Sequence, residues 1–133
     1  MMENSESQEM YLSAIYSLQK KNGAVCLTDV ADERGYSKAS AHNAMERLAE
    51  AGYIRFYRGK ITLTDSGLIK ARDIEQKHET LVAALKLLGA REKEAEENAC
   101  RMEHVITEDV AALLKRYVEQ RQLPRDNRSA EEA

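Results

Sequence analysis

Glu96, Cys100, Glu103 and His104 stand in one stretch of the chain. Placed on a helix at about 100° per residue, they fall within roughly a 100° arc, on a single face. All four are metal-ligand types: thiolate, imidazole and two carboxylates. The opposite stripe, Ala95, Ala99, Met102 and Ile106, has the spacing of a packing face. A helix with one apolar face and one face of ligand types suggests a transition-metal site, provided other helices bring further donors. A plain solvated face that carries a Cys and a His is the alternative.

Net charge is −3 over 133 residues, which argues at first against nucleic acid. The distribution points the other way. Between Arg34 and Lys60 stand Arg34, Lys38, Arg47, Arg55, Arg58 and Lys60 against only Glu46 and Glu50. A basic segment inside an acidic chain is the footprint of a nucleic-acid surface. The length fits one domain, or a small domain with a helical extension. One Pro and no Trp, with much Ala, Glu, Lys, Leu and Arg, predict a mainly α chain. No apolar run is long enough to span a membrane, and Met1 to Glu9 lacks the pattern of a signal peptide. The expected location is cytoplasmic, with Cys26 and Cys100 as thiols rather than a disulfide.

The elements that must position these residues follow from periodicity and punctuation. A first helix is predicted from Glu6 to Lys21, with Tyr11, Leu12, Ile15 and Leu18 inward and Asn22-Gly23 ending it. Ala24 to Cys26 is extended. Thr28 caps a short helix, Asp29 to Arg34, and Gly35-Tyr36 turns the chain. Ser37 caps a third helix to Ala51, with Ala41, Ala44, Met45 and Leu48 inward. Strands Tyr53 to Tyr57 and Lys60 to Leu63 flank Arg58-Gly59. A short helix, a glycine turn, a capped helix and a basic hairpin outline a winged helix-turn-helix. The outer face of the third helix offers Ser37, Lys38, Ala39, Ser40, His42, Asn43 and Arg47. An Asn there suits adenine in the major groove, while Arg58 and Lys60 on the wing suit phosphates. A winged helix used only for protein contacts is the alternative.

Thr64 to Gly67 opens a long helix to Leu88. Its inner stripe is Gly67, Ala71, Ile74, His78, Leu81, Leu85 and Leu88, so His78 sits in an apolar seam beside the ligand-bearing helix. That helix is expected from Arg91 to Val105. Thr107 caps a last helix, Glu108 to Gln120, with Val110, Leu113, Leu114 and Tyr117 inward. The expected division is residues 1–66 for DNA binding, 67–122 for metal binding and dimerisation, and 123–133 as a disordered tail.

Three stretches together resemble a known family. Glu9-Met10-Tyr11-Leu12 with Ile15-Tyr16, then His78, then Ala99-Cys100-Arg101-Met102-Glu103-His104-Val105 look like the metal-dependent repressors related to the diphtheria toxin repressor and the manganese transport regulator. The likeness covers roughly Glu6 to Gln120. It implies a homodimeric winged-helix repressor that needs a divalent metal to bind a palindromic double-stranded operator. It makes Met10, Cys100, Glu103 and His104 one site, with His78 in or beside it. Iron-type members have Met and Cys where Met10 and Cys100 stand; manganese-type members have carboxylates at both, and another at Ser13. Iron-type members also build a second site from two His and a Glu. Here His78 remains, Val82 replaces the Glu and Glu96 replaces the other His. The 133 residues leave no room for the SH3-like domain many iron-type members carry.

The donor chemistry agrees independently. Thioether, thiolate, imidazole and carboxylate suit Fe(II), Co(II), Ni(II) or Zn(II) and are poor for Mg(II) or Ca(II); the sulfurs favour Fe(II) over Mn(II), which oxygen donors suit better, while affinity does not favour iron over zinc or nickel. Two rivals remain: a winged-helix regulator that ignores metal, and an enzyme using Cys100 and His104 as a nucleophile pair. Metal-dependent DNA binding separates all three.

Overall fold

Most of the buried apolar side chains lie in the first half of the chain. A computed structural model describes residues 2–122, apart from the side chains of residues 2–6 and of Arg34. The chain forms two compact units, Met1–Glu75 and Gln76–Ala133. The tail expected at 123–133 lies outside the described residues.

In the first unit, α1 (Met2–Asn22), α2 (Leu27–Arg34) and α3 (Lys38–Glu50) surround a three-stranded antiparallel sheet of β1 (Val25–Cys26), β2 (Ile54–Tyr57) and β3 (Lys60–Leu63), ordered β1-β3-β2. Leu12, Ile15, Val30, Met45 and Leu48 from the helices meet Val25, Ile54 and Ile61 from the sheet, all nearly inaccessible to water. The register pairs Val25 with Ile61 and Phe56 with Ile61, which stacks the apolar positions on one sheet face. The mainly α winged helix-turn-helix expected from the sequence is thereby borne out.

Local chemistry sets the boundaries. Ser37 Oγ accepts from the Ser40 N–H at 3.1 Å, the expected cap of α3. Helix α2 starts at Leu27 rather than at Asp29. Asp29 reaches back to accept from the Cys26 N–H at 3.1 Å, so Cys26 and not Thr28 takes the cap position. Gly35 ends α2 in the left-handed region at φ 71°. Arg58 and Gly59 are both left-handed, φ 50° and 75°, as a two-residue turn of type I′ between twisted strands requires.

Helix α4 (Asp65–Leu87) begins under the cap of Thr64, whose Oγ1 accepts from Gly67 N–H and donates to the Gly52 carbonyl. Gly67 is there for space: a Cβ at that position would lie 1.9 Å from the Tyr53 carbonyl oxygen. Ion pairs of Lys20 with Glu75 and of Lys70 with Glu9 tie α4 to α1.

The second unit takes the rest of α4 with α5 (Glu92–Met102) and α6 (Glu108–Arg121). Its buried residues are small or few: Leu81, Ala84, Ala95, Ala99 and Val118. Three expectations fail here. Helix α5 ends at Met102, not Val105; the chain then turns, and the Val105 N–H reaches the Met102 carbonyl three residues back at 3.1 Å. The face expected inward on α6 is largely outward: Val110, Leu113 and Tyr117 are exposed, Leu114 is half-buried, and Val118 is the buried residue. Leu88, expected at the end of the α4 seam, is 77% exposed, beyond the helix and next to Gly89. Among the described residues no helix is long and apolar enough to cross a membrane.

Candidate functional site

Glu103 is the buried charged side chain of the second unit, 5% exposed. A carboxylate out of water needs opposite charge and hydrogen bonds. Two imidazoles flank it, and His78 makes the hydrogen bond. His78 Nδ1, from α4, lies 2.8 Å from Glu103 Oε2, and His104 Nε2 lies 3.2 Å from Glu103 Oε1. The other nitrogen of His78 meets Glu96 Oε2 at 2.7 Å. Burial works to lower the pKa of His78. The hydrogen bond to Glu96 and the charge and hydrogen bond of Glu103 outweigh it and raise the pKa above its ordinary 6.5.

Sequence spacing thus brought four of the six proposed metal residues into one cluster: His78, Glu96, Glu103 and His104. The early end of α5 changes how. Glu103 caps the helix and His104 lies in the following turn, so the ligand-type face is not one continuous helical stripe. Cys100 is half-buried on α5 and reduced. Met10 is half-buried on α1, in the first unit.

The donor types fit a divalent transition metal, and the dry Glu103 carboxylate is where a cation is worth most. The side chains as they stand pair with one another: both His78 nitrogens are engaged by carboxylates. Among the described residues no three such side chains are arranged around a common metal position. His78 and Glu96 also line an open cleft of about 340 Å³ with Val82 and Lys86, which gives the cluster a path to solvent.

On the first unit, Lys38, Ala39, Ser40, His42, Asn43, Arg47, Arg58 and Lys60 are all exposed, as a DNA-reading face requires. Ser37 and Ser40 are occupied locally: Ser37 Oγ is the helix cap and lies 3.0 Å from Ser40 Oγ. His42 is not a free surface imidazole. Its ring packs edge-on against Phe56, centroids 5.3 Å apart, and Nδ1 lies 3.4 Å from Glu46 Oε1. Sequence reading passed over Glu46 and Phe56; the i,i+4 spacing of His42 and Glu46 was the available signal.

Comparison with known proteins decides the family. The N-terminal DNA binding domain of the iron dependent repressors matches residues 3–60, and their metal binding and dimerisation domain matches residues 64–127. The chain belongs to the iron-dependent repressor family. This repressor is 34% identical to an HTH-type transcriptional regulator of Methanocaldococcus jannaschii, over 86% of the chain and 94% of that protein. It is 29% identical to the iron-dependent repressor IdeR of Mycobacterium tuberculosis, over 83% of the chain but 49% of IdeR. A solved manganese-dependent transcriptional repressor in complex with manganese superposes with a TM-score of 0.76 at 27% identity, over 84% of the chain and 52% of that protein. The repressor therefore spans nearly all of the archaeal relative and about half the length of the other two. It is a metal-dependent, DNA-binding transcriptional repressor with a dimerisation domain, and this family consists of regulators rather than enzymes.

Proposed function

We propose that the chain is an Fe(II)-activated homodimeric repressor of metal-uptake genes, with residues 1–66 reading DNA and 67–122 binding metal and dimerising. The observation that carries the metal reading is the buried Glu103 carboxylate held between two imidazoles. Glu103, His104 and His78 hold the metal, with Cys100 and Met10 supplying the sulfur donors that the sequence resemblance implies. Glu96 orients His78 or joins it as a donor. Bound metal supplies positive charge to a carboxylate that burial leaves dependent on its neighbours, and a form that binds metal more tightly must by linkage also bind DNA more tightly when the two are coupled. The exposed Val110, Leu113 and Tyr117 face of α6 packs against a second copy. Such a dimer presents two copies of α3 to half-sites about 34 Å apart on a palindromic operator.

One observation favours a second reading. The side chains that stand together are imidazoles and carboxylates, a harder set than one including sulfur, and it suits Mn(II) or Zn(II). Anaerobic DNA binding with each metal separates the two readings. In the iron reading, the Co(II) form shows an intense near-ultraviolet thiolate charge-transfer band, and Cys100→Ala removes it while the fold remains. A Co(II) form without that band assigns Cys100 to packing and favours the manganese or zinc reading. Equal DNA affinity with and without metal defeats both.

A further inference from the structure

A run of contacts leads from the reading helix to the tip of the wing. His42, on the outer face of α3, packs against Phe56 of β2 in a tilted edge geometry, 68° between ring planes. Phe56 is half-buried and rests on the core, so it is a fixed partner. The next residue, Tyr57, is 70% exposed, and the Arg58 guanidinium lies over its ring at 5.2 Å. Arg58 itself is set by its left-handed backbone. From α3, Glu46 Oε1 lies 3.4 Å from His42 Nδ1. Between α3 and the wing lies an open cleft of about 620 Å³, lined by His42, Glu46, Glu50, Phe56, Tyr57 and Arg58.

This arrangement has a consequence for recognition. A four-residue strand and a two-residue turn at a sheet edge are mobile unless something holds them. The bases are read by α3 and the phosphates by Arg58. The energy of the second contact is fully available only if the wing is fixed relative to the first. An edge-on aromatic pair contributes modestly beyond the area it buries, enough to bias a hairpin tip but not to hold the fold together.

We propose that His42 and Phe56 form a latch between the recognition helix and the wing, which makes His42 a positioning residue for DNA binding rather than a base reader. The inference rests on the DNA-reading assignment of the first unit and adds how its two contact elements are coupled. The latch predicts that the contribution of Arg58 depends on His42.

The test uses the whole metal-loaded chain and a duplex that the parent selects from random sequence. In His42→Ala, DNA affinity should fall about 5- to 10-fold, and the salt slope should fall by about one, as in Arg58→Ala. The double variant should be no worse than Arg58→Ala alone. His42→Phe keeps the ring and should restore both affinity and slope, which loss of a base contact would not allow. In the DNA-free chain, amide exchange at Tyr57, Arg58 and Gly59 should quicken in His42→Ala and return to the parent rate in His42→Phe, with the exchange of Met45 and Leu48 unchanged. Additive losses in the double variant, failure of His42→Phe, or unchanged wing exchange in His42→Ala each overturn the latch. If Arg58→Ala leaves DNA binding intact, the DNA reading of the wing fails, and with it the role in recognition given to the latch; the exchange measurement then still decides whether the latch exists.

Discussion

The two units solve opposite problems with similar lengths of chain. The first buries large side chains on every element, and no charged side chain is buried there among the described residues. Leu12, Ile15, Met45 and Leu48 are fully buried within it. The second buries mainly alanines, and places a carboxylate inside and several large apolar groups outside. Leu87, Leu88, Val105, Val110, Leu113 and Tyr117 are all exposed in the single chain. The difference teaches where the stability of each unit comes from. One is fixed by packing alone. The other is completed by what it binds, a cation at Glu103 and a second copy at α6 in the reading proposed above.

The comparison breaks first at Gly67. Adding a methyl there drives it into the Tyr53 carbonyl, so Gly67→Ala should destabilise the first unit by about 3 kcal/mol or more despite the better helix propensity of Ala. Thermal unfolding followed by circular dichroism checks this; an unchanged midpoint would mean that the helix start yields freely.

Next comes the metal cluster, where the two units should part company. Glu103→Gln should cost about 100-fold in metal affinity, and Glu96→Gln, at an exposed carboxylate, about 10-fold or less. Neither should alter the first unit. Anaerobic titration with Co(II) measures both, and equal losses would show that burial of Glu103 is not what makes it the stronger ligand.

Asn43→Ala acts on the first unit alone. It should lower discrimination at one base pair by about 1–3 kcal/mol and leave metal affinity as it was. Competition between duplexes that differ at single positions reads this directly, and uniform weakening across all of them would place Asn43 on the backbone instead.

The smallest effect compares two caps of the same kind. Ser37 caps α3 and Thr107 caps α6, each accepting one helix N–H. Either change to Ala should cost about 1 kcal/mol. In the first unit that loss should appear in global unfolding. In the second it should appear as local fraying of α6, seen as faster amide exchange that metal suppresses. Loss of the whole second unit in Thr107→Ala would mean that it unfolds as one piece.

The first unit was legible in the sequence because its signals are local. Ser37 announces α3, Arg58-Gly59 announces the hairpin, and the apolar spacing of Ala41, Met45 and Leu48 tells the buried face. The start of α2 was misplaced because two residues competed to cap it. Asp29, reaching back from inside the helix, prevails over Thr28 in front of it. The end of α5 carries neither Gly nor Pro; the chain tightens there into a turn, with the Val105 N–H bonded to the Met102 carbonyl. The outward face of α6 was unreadable for a deeper reason. Apolar residues at helical spacing look the same whether their cover comes from the same chain or another. In the cluster, ligand types were visible, but not which carboxylate is buried. That depends on His78 and His104 arriving from separate elements.

The backbone at Arg58 has a further implication. A side chain at φ 50° sits where asparagine or glycine is more comfortable, and a type I′ turn prefers Asn-Gly. Exchange of Arg58 for Asn should therefore raise the melting temperature while removing the guanidinium from the wing. Stability and DNA affinity are set against each other at one codon. A laboratory selection for heat resistance alone would drift toward a sturdier protein that has lost part of its grip on DNA, and the drift would begin at this turn.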